Sequence, residues 1–242
     1  MNVHGSDSLK ILQKGFNYSQ DGPGNRLVYH LQGCNFSCKW CSNADSIPLD
    51  NPNAKDYSVD ELFDEIMRSR MMFFDGGGVT FTGGEACMQI NELTVLLRKL
   101  KENDIHTAIE TNGSIPALKD AAEYIDYLIV DLKHYDDEQH KNWVGASNVP
   151  VKENIECFFE RGRQIHIRIP VINGVNNDPS GFAEYFSGFD TSNAVFEFLA
   201  YHEYGKDKWK GNYQIENGFV SDETIKEFTK KFNEYGMKTV AT

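Results

Sequence analysis

Segments with a strand-like pattern alternate with segments of helical periodicity along most of this chain, and this alternation restricts the fold more than any other feature of the sequence. The clearest helical stripe follows a capping box formed by Ser58 and Glu61. Such alternation predicts parallel strands joined by right-handed helical crossovers, either as an open doubly wound sheet or as an incomplete barrel. The helical stripes begin at Val59, Leu93, Leu118, Ile155 and Ile225, and the strand-like runs span residues 27–32, 79–82, 107–110, 127–132, 166–171 and 195–199.

The length of the chain favours one folded domain. Its 242 residues fit a single α/β barrel, and no internal repeat, low-complexity tract or long linker divides them. We therefore expect one domain over residues 1–242, with about six βα units. In either α/β architecture ligands collect at the carboxyl ends of the strands, so the functional residues are expected there.

Composition and charge exclude several classes of protein. Hydrophobic residues at 40% and charged residues at 25% lie near the averages of soluble globular proteins, which excludes collagen-like and wholly disordered chains. The longest stretch without a charged side chain, residues 27–38, is shorter than the roughly 20 apolar residues of a membrane span. The first residues lack the basic flank and apolar run of a secretory signal, which indicates the cytoplasm. The net charge of −12 disfavours nonspecific binding to nucleic acid.

Three of the five cysteines are crowded into one segment after the first strand-like run. Cys34, Cys38 and Cys41 form a C-x3-C-x2-C motif, and the odd total of thiols argues against a secreted disulfide framework. Three thiolates can hold three corners of a cubane [4Fe-4S] cluster, and one iron then stays open because no fourth cysteine lies nearby. The alternative is a zinc site, for which His30 is the nearest candidate for a fourth ligand.

A second motif, Gly83-Gly84-Glu85, follows the next strand-like run. Glycine lets a ligand approach the backbone closely, and the Glu85 carboxylate can bind an ammonium group. The alternative is a tight strand-to-helix turn that binds no ligand. Arg168 is a further candidate, because a charge within an apolar strand requires an anionic partner such as a cofactor carboxylate.

The two motifs together resemble those of the radical S-adenosylmethionine (SAM) superfamily. Within it the sequence is most similar to the glycyl radical enzyme activating enzymes, and especially to the pyruvate formate-lyase-activating group, over nearly the whole chain. This narrower resemblance is carried by residues 21–24 (Asp-Gly-Pro-Gly), 110–112 (Glu-Thr-Asn), 131–133 (Asp-Leu-Lys) and 201–206 (Tyr-His-Glu-Tyr-Gly-Lys). It implies an incomplete TIM-type barrel without the ferredoxin-like insertion of many activating enzymes, since residues 42–58 contain no cysteine.

The resemblance also implies cofactors and the residues that bind them. The three cysteines of the motif hold one [4Fe-4S] cluster, and SAM binds the open iron through its amino and carboxylate groups. A monovalent cation is expected beside the SAM carboxylate at Glu110, Thr111 and Asp131, where Glu110 replaces an aspartate that is frequent in the family. The residues expected to contact SAM are Trp40, Cys41, Ser42, Gly83, Gly84, Glu85, Thr111, Asn112, Asp131, Leu132, Lys133, Arg168 and His202.

Some of these residues have a structural alternative. Lys133 can be an ordinary exposed lysine, Asp131 can cap the turn after its strand, and His202 can be a structural histidine. The two remaining thiols, Cys87 and Cys157, lie in helix-like segments and are expected to be small buried hydrophobic side chains.

The implied activity is that of a glycyl radical enzyme activase. A reduced cluster transfers one electron to SAM, which yields methionine and a 5′-deoxyadenosyl radical that abstracts hydrogen from a glycine of a partner enzyme of the pyruvate formate-lyase type. Asp21 is expected near the substrate loop of that partner, flavodoxin or ferredoxin as the reductant, and the activase as a monomer. The alternatives are a radical SAM enzyme that acts on a small molecule, similar to 7-carboxy-7-deazaguanine synthase, and a noncatalytic iron–sulfur protein.

Overall fold

The computed structural model describes residues 8–211 and 213–241, in which nine strands and seven helices follow one another. The strands are β1 (Ser8–Tyr18), β2 (Asn25–Leu31), β3 (Lys55–Ser58), β4 (Gly78–Gly83), β5 (Thr107–Thr111), β6 (Tyr127–Asp131), β7 (Ile165–Val171), β8 (Ala194–Ala200) and β9 (Thr239–Val240). The helices are α1 (Val59–Arg68), α2 (Ile90–Glu102), α3 (Leu118–Ala121), α4 (Asp137–Val144), α5 (Val149–Glu160), α6 (Ser180–Ser187) and α7 (Asp222–Glu234).

Backbone contacts divide the described chain into two compact units. Unit 1 comprises residues 8–35, 45–111 and 120–128, and unit 2 comprises residues 36–44, 112–119, 129–211 and 213–241. The single domain expected from the sequence stays a prediction. Within the described ranges, no helix has the length and apolar character needed to cross a bilayer.

Unit 1 is built on five strands in the order β3-β1-β2-β4-β5. β1 pairs antiparallel with both β2 and β3, whereas β2, β4 and β5 are parallel. The predicted capping box begins α1, because the Ser58 hydroxyl accepts a hydrogen bond from the Glu61 backbone N–H and the Glu61 carboxylate accepts one from the Ser58 N–H. The apolar stripe of α1 is buried at Val59, Leu62 and Ile66.

In unit 2 the end of β6 is followed in the sheet by β7, β8 and β9, all of them parallel. β8 turns Phe196 and Phe198 toward a cluster of phenylalanine rings from α6 and α7, with ring centroids 4.8 to 6.2 Å apart. Since side chains alternate between the faces of a strand, Glu197 points to the other face of β8. Among the described residues β3 and β9 each pair with one strand only, so neither unit closes its own strands into a complete barrel.

The six strand-like runs predicted from the sequence are β2, β4, β5, β6, β7 and β8, and their parallel pairing is confirmed within each unit. The structure adds β1, β3 and β9, and also α4 and α6, which the periodicity did not indicate. α4 has few apolar residues and is delimited by local caps instead. Its first turn donates the Gln139 N–H to the Asp136 carboxylate, and it ends at Gly145 with a φ of 82°.

Candidate active site

The Gly-Gly-Glu segment of unit 1 lies directly beyond the carboxyl end of β4 and packs against the backbone after β2. Gly83 has a φ of 118°, and a Cβ atom there would lie 2.3 Å from the Leu31 nitrogen. A Cβ at Gly84 would lie 2.3 Å from the carbonyl oxygen of Gly33, the residue before Cys34. Both positions therefore require glycine. The Glu85 N–H donates to the same Gly33 oxygen at 2.8 Å, which joins the segment to the chain that leads into the cysteine motif.

The Glu85 carboxylate is buried, with a residue exposure of 1%, and is held in one orientation. Its Oε1 atom accepts hydrogen bonds from the Cys87 N–H at 2.9 Å and from the Thr111 hydroxyl at 2.5 Å. It thereby caps the short 3-10 turn Ala86–Gln89, so the tight strand-to-helix turn considered from the sequence is present. A fixed buried carboxylate is also suited to bind an ammonium group through a charge-assisted hydrogen bond.

Glu110 and Thr111, two of the three residues predicted to hold a cation, end β5 in unit 1. The Glu110 carboxylate accepts a hydrogen bond from the Thr82 hydroxyl at 3.3 Å, and Thr111 binds Glu85 as described. Asp131, the third, belongs to unit 2, where its Oδ1 atom is buried without a hydrogen-bond partner among the described residues.

Asp21 lies in the turn between β1 and β2, and so at the amino end of the parallel strands of unit 1. It is held there by Asn17, whose amide donates to its carboxylate, and by the Thr80 hydroxyl, which donates to its backbone oxygen at 2.8 Å. Fully buried Arg26 closes the turn through its bond to the Pro23 oxygen at 3.0 Å. Glu85 follows the carboxyl end of β4, so Asp21 and Glu85 lie at opposite ends of these strands.

Cys38 and Cys41 belong to the loop of residues 36–44 in unit 2, which we call the cysteine loop. Cys38 is buried and Cys41 is half-buried, and the Asn43 N–H donates to the Cys41 sulfur at 3.4 Å. The end of α4 braces the loop, because the Lys39 N–H donates to the Trp143 oxygen at 3.0 Å. Cys34 lies in unit 1, half-buried, with its N–H donating to the Ile47 oxygen.

Lys133 and Asp131 form an ion pair at the end of β6, with Nζ 2.9 Å from Oδ2 and side-chain exposures of 14% and 20%. Burial opposes the charge on Lys133, but Asp131 and the sulfurs of Cys38 and Cys41 outweigh it, so the pKa of Lys133 is raised. Lys133 is thus not the ordinary exposed lysine of the alternative interpretation. Its ammonium favours the thiolate form of these two cysteines, which is the form that binds metal.

The surroundings of Cys38 and Cys41 suit thiolate ligands. A sulfur that accepts an N–H bond beside a lysine suits a thiolate ligand, whereas burial raises the pKa of Cys87 well above its usual range and keeps that thiol protonated. Cys87 is the buried side chain expected, while Cys157 on α5 is only half-buried. Among the described residues, no three His, Cys, Asp or Glu side chains are grouped to hold one metal ion.

Arg168 is held by an acidic residue that sequence reasoning missed. Its Nε atom donates to the Glu197 carboxylate at 2.7 Å, and His166 Nε2 lies 3.1 Å from the same Oε2 atom. All three side chains are about nine-tenths buried. A signal existed, because Glu197 interrupts an apolar strand in the way that His166 and Arg168 interrupt β7.

The remaining predicted SAM contacts lie in unit 2. Asn112 uses its Oδ1 atom in a local turn, accepting bonds from the Ser114 N–H and hydroxyl. Buried Leu132 donates its N–H to the Arg168 oxygen. His202 is half-buried and stacks on Tyr204 with ring centroids 4.4 Å apart, and burial lowers its pKa.

The backbone of Ser42 packs so closely against Gly205 that a Cβ at Gly205 would lie 2.2 Å from the Ser42 oxygen. Trp40, the last of the predicted contacts, is buried in the cysteine loop. The structure also shows that Trp209, missed from the sequence, donates its indole N–H to the Cys41 oxygen at 2.9 Å. The local sequence of residues 206–209, Lys-Asp-Lys-Trp, gives no signal for this contact.

Comparisons with known proteins agree with these features. Residues 28–186 match the Radical SAM superfamily. The pyruvate formate-lyase-activating enzyme of Staphylococcus epidermidis is 31% identical over 229 residues, which cover 88% of this chain and 90% of that protein. The pyruvate formate-lyase 1-activating enzyme of Escherichia coli is 36% identical over 197 residues, which cover 78% and 79%. A radical SAM methyltransferase structure from Sphaerobacter thermophilus superposes with a TM-score of 0.68 at 17% identity, over 94% of this chain and 68% of that chain.

The superposition confirms the predicted fold class, an α/β fold of the radical SAM type with an incomplete barrel of strands. The extent and identity of the sequence matches confirm the narrower resemblance. This chain therefore belongs to the radical SAM superfamily and, within it, to the family of the pyruvate formate-lyase-activating enzymes.

Proposed function

We propose that this chain is a glycyl radical enzyme activase that uses one [4Fe-4S] cluster and SAM. Family membership supports the reaction and the cofactors. The structural observation that carries the proposal is the buried Glu85 carboxylate, fixed by Cys87 and Thr111 in a segment bonded to the residue before Cys34. When bound, the cluster and SAM supply one-electron cleavage of a carbon–sulfur bond and the 5′-deoxyadenosyl radical that takes hydrogen from glycine.

The role of the chain is to hold these groups and to position them. Cys34, Cys38 and Cys41 would hold the cluster as its three cysteine ligands, which would leave one iron for SAM. Glu85 accepts a hydrogen bond from the methionine ammonium of SAM, and Gly84 provides the space for its approach. Gly83 shapes the same turn through its positive φ.

Two cations of unit 2, the largely buried Lys133 and the buried Arg168, suit the carboxylate of SAM. Lys133 carries its charge at every physiological pH, and the Arg168 side chain is held in place by its hydrogen bond to Glu197. Asp131 has a buried oxygen that is suited to a monovalent cation, and we place Glu110 and Thr111 in the same role. The residues assigned to the adenosine and the remaining methionine contacts are Trp40, Cys41, Ser42, Asn112, Leu132 and His202.

The substrate is a glycine in a loop of a large partner enzyme of the pyruvate formate-lyase type. We assign Asp21 to contact with that partner. Asp21 lies at the amino end of the parallel strands of unit 1 and Glu85 at their carboxyl end, so a partner that contacts Asp21 extends beyond the residues around Glu85. Flavodoxin or ferredoxin serves as the reductant. We further propose a cytoplasmic monomer that does not bind nucleic acid, in keeping with its net charge of −12.

The test is the low-temperature EPR spectrum of anaerobically reconstituted, dithionite-reduced protein with and without SAM. We expect a [4Fe-4S]+ signal that changes when SAM is added. Cys34→Ala, Cys38→Ala and Cys41→Ala lose the signal, whereas the matched control Cys157→Ala, a half-buried thiol on α5, keeps it. A signal that ignores SAM contradicts the proposal and favours a noncatalytic iron–sulfur protein.

The substrate class is tested by 5′-deoxyadenosine formation. A peptide that contains the glycine loop of a glycyl radical enzyme is expected to increase it and to lose a hydrogen atom from glycine. Stimulation by a small metabolite alone contradicts the activase function and favours a radical SAM enzyme that acts on a small molecule.

A further inference from the structure

Residues 206–210, here called the lysine segment, form a basic patch on a strongly acidic chain. The segment contains Lys206, Lys208 and Lys210 and the acid Asp207, and Lys206 is paired with the adjacent Glu203 at 2.9 Å, so these five side chains carry a net charge of +1, while the whole chain carries −12. All four charged side chains of the segment are exposed. A local positive field of this kind attracts negatively charged partners and raises their rate of encounter.

The lysine segment is fixed to the cysteine loop by two hydrogen bonds, and the residue before the segment also packs against this loop, all within unit 2. Lys208 Nζ donates to the Asn43 Oδ1 atom at 2.9 Å, and the Trp209 indole donates to the Cys41 oxygen at 2.9 Å. Immediately before the segment, Gly205 lies against Ser42 with no room for a side chain. The positive patch is therefore held beside the backbone of the cluster ligand Cys41.

An exposed aromatic ring borders the lysine segment. The Tyr204 side chain is 88% exposed, yet its ring stacks on His202 with centroids 4.4 Å apart and an interplanar angle of 22°. A large exposed ring that is held flat provides contact area at low entropic cost. The ring is suited to pack against the planar ring system of a flavin in an electron-donor protein. The iron–sulfur cluster of a ferredoxin is enclosed by its own cysteines and offers no such plane.

We propose that the lysine segment together with Tyr204 is the docking surface for an acidic flavodoxin that reduces the cluster. This inference rests on the proposed function, because it assumes a cluster at Cys41. The electron passes from the reduced flavin to the oxidised cluster, so the flavin is oxidised by one electron and the cluster is reduced by one. The partner recognised here is the electron donor, and no role for these residues in binding SAM or the glycine loop is implied.

The test is the rate at which reduced flavodoxin reduces the reconstituted cluster, followed by stopped-flow absorbance without SAM or substrate. Lys208→Glu combined with Lys210→Glu is expected to slow the second-order rate about tenfold or more at low ionic strength, and to flatten its salt dependence. Lys210→Glu alone gives a smaller loss in the same direction. Lys208→Gln combined with Lys210→Gln removes charge but keeps a donor for Asn43.

A matched control introduces the same charge change on another surface of unit 2. Lys226 and Lys230 are exposed on α7, and Lys226→Glu combined with Lys230→Glu is expected to leave the rate within twofold, about the size of a bulk charge effect. Binding of oxidised flavodoxin, measured by calorimetry, is expected to weaken in the lysine-segment variants only. If Lys208→Glu combined with Lys210→Glu and Lys226→Glu combined with Lys230→Glu slow the reduction rate equally, the docking surface is overturned. The same holds if no variant changes the rate or the binding of flavodoxin.

The outcome is separable from that of the proposed function. Photoreduced 5-deazaflavin, a small reductant that needs no docking surface, is expected to support SAM cleavage equally in the wild type and in all variants. If the wild type fails to cleave SAM with this reductant, the proposed function is wrong. If cleavage is normal and only reduction by an acidic ferredoxin depends on Lys208 and Lys210, the assignment to flavodoxin is wrong.

Discussion

Glu197 on β8 accepts a hydrogen bond from Arg168 on β7, with Oε2 2.7 Å from Nε and side-chain exposures of 10% and 9%. Removal of one partner of a buried ion pair leaves the other charged and uncompensated. Glu197→Ala is therefore expected to lower the free energy of unfolding by about 3–5 kcal/mol, and Glu197→Gln by less, in urea unfolding. Glu234→Ala, at an exposed position on α7, serves as the control and is expected to change it by under about 0.5 kcal/mol.

The pair of Glu197 and Arg168 also makes the free energy of unfolding depend on pH. Burial raises the pKa of Glu197, but the bond from His166 and the charge of Arg168 outweigh burial and hold this pKa below its ordinary value of 4.5. Because the native pKa of Glu197 is lowered, its ionised carboxylate stabilises the fold fully at pH values above 4.5. This contribution to the free energy of unfolding is lost as the pH falls through the native pKa. The wild type is expected to lose more stability than Glu197→Gln when the pH is lowered through this range. Parallel pH profiles of the two proteins would show that the pair is not linked to folding.

The pH dependence of stability that is expected from Lys133 has the opposite sign. Burial lowers the pKa of Lys133, but Asp131, Cys38 and Cys41 raise it by more than burial lowers it. The native pKa therefore lies above the ordinary lysine value of 10.5. Its stabilising contribution is present below that value and is lost only when the pH rises through the native pKa. SAM binding is therefore expected to show no titration from Lys133 at neutral to moderately alkaline pH.

Lys133→Met is expected to weaken SAM binding by about tenfold to a hundredfold, since a charged hydrogen bond contributes about 1.5–3 kcal/mol. The control is Lys141→Met, which removes an exposed lysine paired with Asp137 and Glu138. Equilibrium binding to the reconstituted protein measures both. Equal affinities of the wild type and Lys133→Met would remove Lys133 from the cofactor contacts.

The sequence predicts the parallel strands and the two motifs because these depend on local patterns. Six strand-like runs, the α1 capping box and the loop positions of the cysteines follow from periodicity and turn residues alone. Glu197 is different, since its pairing with Arg168 depends on the register of β7 against β8, which aligns these two residues directly. Trp209 reaches Cys41 across 168 positions of the chain, and no local pattern encodes such a contact.

Gly84 provides the sharpest test of the motif after β4. An alanine Cβ there would lie 2.3 Å from the Gly33 oxygen and 2.8 Å from the Ser46 oxygen, and these are backbone atoms that cannot rotate away. Gly84→Ala is therefore expected to lower the free energy of unfolding by about 1–3 kcal/mol and to shift the backbone that precedes Cys34. Less iron should then be bound per chain after reconstitution. The comparison is Gly15→Ala on β1, where the new Cβ has no atom within 4 Å apart from those of Gly15 itself and its two chain neighbours. This variant is expected to keep full iron content and equal or higher stability. Equal iron content in the two variants would mean that Gly84 serves the turn alone and not the placement of the cluster ligand.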